Sequence, residues 1–329
     1  SALQIINGSE YRTQAESNRT RVKTILSQRG VIYDRNGYIL ADNDPTFHIV
    51  TSKNDLPGNQ IDREHQIKSL ASFLDINQED ILNSIFEANS SREEILIVEN
   101  VNYETGIAFE ASGAEFSAFS LEIGSRRSYV THVIPSLSHI LGYTGPLNEK
   151  EYESLKDDGY RGFDHIGKQG IEDQYEQILR GEYGREIIEV DAIGNTQRII
   201  SKTDAINGQN VYLTIDAELQ SYIEHSLLEH MEGTEAARAS VVVMDPNNGE
   251  IFSMVSWPTF DANLFTAGID QETYSALLHD PNTPLFPRAH AGEFPSGSTI
   301  KPINAASALI EGIIDAKSSF PSTGGIRID

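Results

Sequence analysis

The sequence predicts an α+β chain folded as more than one domain, and three observations carry that expectation. At 329 residues it is too long for one ordinary hydrophobic core. Within residues 46–125 two helical patterns are inserted among strand-like runs, which marks a small α/β lobe. Near Gln209 a fresh pattern begins, a helix followed by a strand–turn–strand, as expected of a further unit.

The polar lead over residues 10–28 reads as extended or helical. Arg29–Ala41 then reads as two short strands around a turn at Asp34–Gly37. Phe47–Thr51 is a strand pattern. Ile67, Leu70, Ala71 and Leu74 make one helix face, and Ile81, Leu82, Ile85 and Phe86 make a second, capped by Asn77. Glu94–Val101 reads as strand, Tyr103–Ser112 as helix and Phe119–Ile123 as strand. Lys150–Gly162 is charged and reads as loop. Ile171, Tyr175, Ile178 and Leu179 form a helix face with glycines at both ends, and Arg185–Ile200 and Asn210–Ile215 read as strands. Asp216 caps a helix with Leu219, Ile223, Leu227 and Met231 on its face. Ala239–Met244 and Glu250–Val255 then flank the turn Asp245–Gly249.

The chemistry is expected at Ser298. The chain holds a single Ser-x-x-Lys, Ser298 to Lys301, where a helical pattern begins with Ile300, Ile303, Ala306, Leu309, Ile310 and Ile313 on one face. Residues three apart on a helix are surface neighbours, and a helix start offers unpaired N–H groups to negative charge. Pro302 has no N–H for the carbonyl of Ser298, so an irregular first turn is expected, and Gly312 weakens the helix near its end. A serine hydroxyl beside a neutral lysine amine can attack a carbonyl, with the N–H groups receiving the oxyanion. The bare tetrad is weak by itself, since about one is expected by chance in a chain of this length. A capped helix with an exposed lysine is the bland alternative. A phosphate loop is excluded, because Ser298 stands where that loop needs its lysine.

Composition narrows the classes. A formal charge of −24 repels nucleic acid. The start runs the other way: Arg12, Arg19, Arg21, Lys23, Arg29 and Arg35 outnumber Glu10, Glu16 and Asp34, as on a solvated face or one turned to a membrane or an acidic partner. No cysteine is present, so disulfides and thiolate metal sites are excluded. His225 and His230 miss a common helix face, and no histidine pair has zinc-site spacing. Asp245, Asn247 and Gly249 do not make a calcium loop, because the glycine comes one position early.

The wider motifs settle which family is resembled. Pro284-Leu285-x-x-Arg288-Ala289-x-x-Gly292-x-x-Pro295-x-Gly297-Ser298-Thr299-x-Lys301-Pro302 resembles the nucleophile segment of the class B penicillin-binding proteins. Two positions depart from it: Pro287 stands for the usual Asn and Ser296 for the usual Pro. Arg29-Gly30-Val31-Ile32-Tyr33-Asp34-Arg35-Asn36-Gly37 through Leu40-Ala41 resembles the signature that opens the family's pedestal domain. Arg126-Arg127-x-Tyr129 followed by His139-Ile-Leu-Gly-Tyr-Thr-Gly145 resembles a second pedestal segment. Gly167-x-x-Gly170-Ile171-Glu172-x-x-Tyr175-Glu176-x-x-Leu179-Arg180-Gly181 resembles the elongation type more than the division type.

The resemblance implies an elongated β-rich pedestal with a small α/β head lobe, then the opening part of a penicillin-binding/serine beta-lactamase-like α/β transpeptidase domain. The expected division is a membrane-proximal lead at 1–28, a pedestal at 29–208 with its head at about 46–125, and an incomplete transpeptidase domain at 209–329. The implied activity is peptidoglycan D,D-transpeptidation in cell-wall elongation and cell shape. Ser298 would be the nucleophile, its backbone N–H facing the oxyanion, and Lys301 the general base. No metal or cofactor is implied. Stem peptides ending in D-Ala-D-Ala and beta-lactams are the implied ligands, and a membrane glycan polymerase and a wall-synthesis scaffold the implied partners. A single N-terminal membrane helix, absent from residues 1–329, would hold this part on the extracytoplasmic, periplasmic side of the cell membrane. Neither Ser-x-Asn nor Lys-Thr-Gly follows Lys301, so these residues by themselves are expected to be inactive. The alternative reading is a pedestal module that binds and regulates a polymerase or scaffold. A beta-lactam sensor or beta-lactamase fits less well, since those generally lack the pedestal.

Overall fold

One long strand organises the first part of the chain. In the computed structural model, which describes residues 20–88, 94–113, 115–190, 196–266 and 268–319, β3 (Ile39–Thr51) joins both lobes of its sheet. Its start pairs with β2 (Ile32–Tyr33), its end with β4 (Ile95–Val101), and β5 (Ser120–Tyr129) runs antiparallel along its other side from Ala41 to Val50. Residues 42–46 of β3 therefore have β5 on one side and neither β2 nor β4 on the other. That gap accommodates Pro45, which has no N–H to give a ladder. The short β10 (Val211–Tyr212) adds to β2 in parallel.

Two hydrophobic clusters sit on this sheet. The head cluster gathers Ile49, Ile67, Leu70, Ile81, Val101, Phe109 and Phe119, beneath α1 (Gln60–Leu74), α2 (Gln78–Glu87) and α3 (Tyr103–Ala111). Asn59, Asn77 and Asn102 cap the three helices through their side-chain oxygens, which is why each starts where it does. The second cluster gathers Ile32, Leu40, Tyr129, Leu137, Leu141, Leu179, Ile215, Phe260 and Phe265. It joins residues from both sides of Gln209 into one core.

Several expectations change in detail. The lead ends in a strand, β1 (Thr20–Ile25), which pairs with β8 (Gly184–Val190); the basic residues Arg12 and Arg19 lie outside the described residues. The run 185–200 is a hairpin of β8 and β9 (Thr196–Thr203), with residues 191–195 outside the described set. The charged stretch at 150–162 is loop only from Gly159 onward. It carries a helix, Glu149–Leu155, started by a capping box in which Asn148 and Glu151 each bind the other's backbone N–H. The face through Ile171 and Leu179 breaks at Tyr175 (φ −111°, ψ 20°) into helices Gly170–Gln174 and Glu176–Leu179. On α2, Ile81 is buried while Phe86 is 85% exposed, so the buried stripe is narrower than the apolar pattern.

Between β5 and β8 the chain makes the small ribbon β6 (Thr144–Pro146) and β7 (His165–Gly167). After β10 come α4 (Ala217–Met231) and the hairpin β11 (Ala239–Met244) and β12 (Ile251–Trp257). The stripe expected on α4 is only half-buried, and its fully buried residues include Gln220 and Glu224. They are buried because backbone demands it: Gln220 Oε1 accepts from Met254 N at 2.8 Å and Glu224 Oε2 from Ser136 N at 2.9 Å. The chain divides into two compact units, residues 1–289 and 290–329. Among the described residues no helix is long and apolar enough to cross a membrane.

Candidate active site

Ser298 lies in the second unit, and its local geometry follows from its neighbours. Gly297 adopts φ +54°, a left-handed conformation that glycine takes without a Cβ clash. Gly297–Ile300 then forms a 3₁₀ turn, and the α-helix Lys301–Ile310 starts only at the lysine. Pro302 explains the tight turn. The carbonyl of Ser298 has no i+4 N–H to receive, and takes its bond from the N–H of Lys301 instead. Thr299 adds a side-chain bond to the carbonyl of Ser296 at 2.5 Å. The irregular first turn expected from Pro302 is thus present.

Gly312 does more than weaken the helix. Its N–H bonds the carbonyl of Leu309 at 3.2 Å, and Ile313 N bonds Ala308 O at 2.9 Å, the paired bonds of a Schellman cap. Ser298 and Lys301 occupy one turn and are both exposed. No hydrogen bond joins their side chains among the described residues. The apolar face expected of this helix is also exposed, with Ile303 at 60% and Ile310 at 83%.

The approach to this segment belongs to the first unit and is tightly held. Pro284 and Arg288 are buried. The Arg288 guanidinium donates to the carbonyls of Asn282, Thr283 and Phe286 and to Thr283 Oγ1, closing residues 282–288 on themselves. Ala289 N donates to Ser256 Oγ at 3.0 Å.

The motif residues of the first unit converge on a buried ionic cluster that the sequence reading left without a role. Glu172, wholly buried, accepts from Arg29 Nε and from Arg127 Nε, each at 2.6 Å. Arg29 also reaches Glu176 at 2.7 Å, and Arg127 Nη1 bonds Gly30 O at 2.9 Å and Asn43 Oδ1 at 3.1 Å. Burial pushes the Glu172 carboxyl up, but the two guanidiniums together outweigh it and hold the group below the usual range. Arg127 points inward, whereas its neighbour Arg126 is exposed beside Asp44, as strand alternation requires. That period of two along β5 was the signal available in the sequence.

Asp34 is a second such residue. Its Oδ1 accepts from Asn36 N and Tyr38 N, both at 2.8 Å, and its Oδ2 from Ala217 N at 3.0 Å. The turn of the opening hairpin therefore caps the first helix after residue 209. Among the described residues no group of three or more His, Asp or Glu side chains is placed to hold a metal ion.

Comparison with known proteins identifies the two domains. The family description "Penicillin-binding Protein dimerisation domain" matches residues 24–213, and "Penicillin binding protein transpeptidase domain" matches residues 239–327. Peptidoglycan D,D-transpeptidase MrdA of Acinetobacter baumannii is 36% identical over 325 residues, covering 98% of this chain and 46% of the relative. MrdA of Escherichia coli K12 is 36% identical over 329 residues, covering 98% and 50%. Penicillin-binding protein 3 of Bacillus subtilis is 28% identical over 312 residues, covering 93% and 43%. The chain thus spans about half the length of these relatives. Among solved structures, the complex between penicillin-binding protein PBP2 and MreC from Helicobacter pylori superposes with a TM-score of 0.75 over 94% of this chain and 56% of that one. At 24% identity that likeness speaks for the fold alone. With the dimerisation domain covering more than half of its length and the start of a transpeptidase domain after it, the chain belongs to the penicillin-binding proteins that join these two domains.

Proposed function

We propose that the protein is a peptidoglycan D,D-transpeptidase in which Ser298 is the nucleophile and Lys301 the general base. The observation that supports this best is the Gly297–Ile300 turn, with an exposed serine and the following lysine in one turn at the start of a helix. The match to the transpeptidase domain and the activity named for the MrdA relatives point the same way. In this reading Ser298 Oγ attacks the carbonyl of the D-Ala-D-Ala amide and its proton passes to the Lys301 amine. The C–N bond breaks, and terminal D-Ala leaves with a proton on its nitrogen. An amine of a neighbouring strand then attacks the ester, forms a new amide and returns the hydrogen to Ser298. The N–H of Ser298 faces the oxyanion in both steps. Beta-lactams would acylate the same oxygen.

The partner reading is a proposal of the same kind. One solved structure of this fold is a complex with MreC, so a wall-synthesis scaffold is the expected partner of the dimerisation domain. A membrane glycan polymerase is the expected second partner, with a single membrane anchor and this part of the protein on the periplasmic side.

The test is a labelled penicillin on the full-length protein. The adduct should map by mass spectrometry to the peptide from Ala291 to Lys301, and Ser298→Ala should remove it. Lys301→Ala should slow acylation by about a hundredfold or more, the usual loss for a general base. An adduct on any other residue would sink the assignment.

A further inference from the structure

In the head lobe, β4 does not run regularly beside β3. Phe47 pairs with Val101 and Ile49 with Val98, so His48 alone stands opposite Glu99 and Asn100. Two residues against one make a β-bulge, and Asn100 absorbs it in the left-handed region at φ +57°, which asparagine tolerates better than most residues. The bulge turns two polar groups of Asn100 inward. Its Oδ1 is buried and has no hydrogen-bond partner among the described residues. Its N–H donates to His48 Nδ1 at 3.3 Å.

The surroundings of His48 fix that bond. The residue is buried, and its ring lies over Gly124 of β5, where an added Cβ would stand 2.0 Å from Nε2. Nδ1 accepts from an N–H, so it carries no hydrogen, and the ring is the neutral form with its hydrogen on Nε2. His48 and Glu99 both line the cleft beside β4, which gives protons a path to the ring. Charged groups face His48 from three elements. Glu99 belongs to β4, Glu122 is its partner on β5, and Arg161, Asp164 and His165 come from the segment leading into β7. Glu99 Oε1 lies 3.4 Å from His165 Nε2, and Arg161 binds Glu94, Glu122 and Asp164. Burial opposes the imidazolium most. Glu99 and Asp164 favour it and Arg161 and His165 oppose it, which together hold the ring below the usual histidine range.

We propose that His48 is a proton-operated pin of the β4 bulge, which it holds closed as the neutral imidazole and releases on protonation in mild acid. Protonation puts a hydrogen on Nδ1, and that hydrogen then faces the N–H of Asn100, donor against donor. The bulge already carries the unpaired Asn100 Oδ1 and would gain an unpaired donor beside it. Glu99, the other residue of the bulge, lines the cleft, so opening alters the cleft wall. The sign follows from the lowered affinity of the folded ring for a proton. Its contribution to stability is complete above the unfolded histidine value and is lost as pH falls through the lower, folded one.

The experiment is hydrogen exchange of the peptide 95–101 in the 329-residue chain at pH 7.5 and pH 5.5, each rate divided by the intrinsic rate at that pH. In wild type the ratio should rise about fivefold in acid, as expected for the loss of one hydrogen bond. His48→Asn keeps an acceptor for Asn100 N–H without a titrating ring, leaves Glu99, Glu122 and His165 in place, and should remove the rise. Gly124→Ala displaces the ring without adding charge and should speed exchange already at pH 7.5. A wild-type rise below about twofold overturns the proposal. So does an equal rise in His48→Asn, which would move the titration to Glu122 or His165, and so does unchanged exchange in Gly124→Ala. An equal wild-type rise in the hairpin 239–257 would mean global unfolding and overturns it as well. If the variants do not fold, the ring nitrogen shifts of wild-type His48 decide. A hydrogen on Nδ1 at pH 7.5 overturns the proposal, and a bare Nδ1 that gains its hydrogen over the range in which exchange rises supports it.

Discussion

Removing the charge of Glu172 tests what holds the dimerisation domain together. The carboxylate is wholly buried between Arg29 and Arg127, with both contacts at 2.6 Å. Glu172→Gln keeps the shape and one acceptor but turns an amide N–H₂ toward a guanidinium. Each hydrogen bond to a charged group contributes about 1.5–3 kcal/mol, and breaking one partner out of a buried ion pair costs about 3–5 kcal/mol. We expect about 3–5 kcal/mol, which at ~2 °C per kcal/mol for a unit of this size lowers the melting temperature by about 6–10 °C near pH 7.5. The pH dependence has a definite sign. The folded carboxyl is held below its ordinary value, so its stabilisation is complete above the unfolded pKa and is lost as pH falls through the lower, folded one. Wild type and Glu172→Gln should therefore converge in acid, where the wild-type carboxyl is itself neutral. Thermal melts at pH 7.5 and below pH 4 decide it. A loss under ~2 °C at pH 7.5, or a gap that stays constant into acid, refutes the reasoning. Replacing only the acid is the informative change, since exchanging a whole buried ion cluster for apolar residues is often neutral.

Two further outcomes are expected from the same unit. Gly142 adopts φ +71° and ψ −150°, and a Cβ there would stand 1.8 Å from the carbonyl oxygen of Gln169, so Gly142→Ala should cost more than about 3 kcal/mol by strain and clash together. Gly159→Ala, at φ +81° with nothing within 4 Å, is the control and should cost only ~1–2 kcal/mol; equal losses in urea unfolding would show that the clash is relieved by relaxation. Asp34→Ala leaves the buried N–H of Ala217 and two turn N–H groups without their acceptor and should cost about 3 kcal/mol; a loss below ~1 kcal/mol would mean that water replaces the carboxylate.

Local pattern was readable from sequence wherever one residue's neighbours decide its conformation. Asn77 and Asp216 each cap a helix because capping needs only the next three residues. Pro302 forced the 3₁₀ turn at Ser298 for the same local reason. The helix at 149–155 was missed because its charges look like loop, although the Asn148–Glu151 capping box was legible. What sequence reading could not reach were partners distant in the chain. Glu172 meets Arg29 across 143 residues, and Asp34 meets Ala217 across 183. Each appeared only as a polar letter in a motif, and a polar letter does not say whether it faces water or another charge.

That distinction changes what the pedestal motifs mean. Arg29, Asp34, Arg127, His139 and Glu172 all come from stretches whose resemblance to the family was plain before any role could be given. In the fold none of the five is a surface group offered to a ligand: each is buried or nearly so and bonds to backbone, to Asn43 or to an opposite charge, although Arg127 Nη2 has no hydrogen-bond partner among the described residues. Buried polar groups cost stability unless every bond is made, so they tolerate one arrangement of the surrounding segments and penalise others. The apolar residues of the shared core, among them Leu137, Ile215 and Phe260, hold the same segments together without fixing their register as strictly. The hydrophobic core therefore supplies attraction between the dimerisation domain and the segment after residue 209, while the buried polar residues select the orientation. Asp34 does this at the start of α4, through the N–H of Ala217, and His139 does it at the carbonyl of Pro284, both within the first unit.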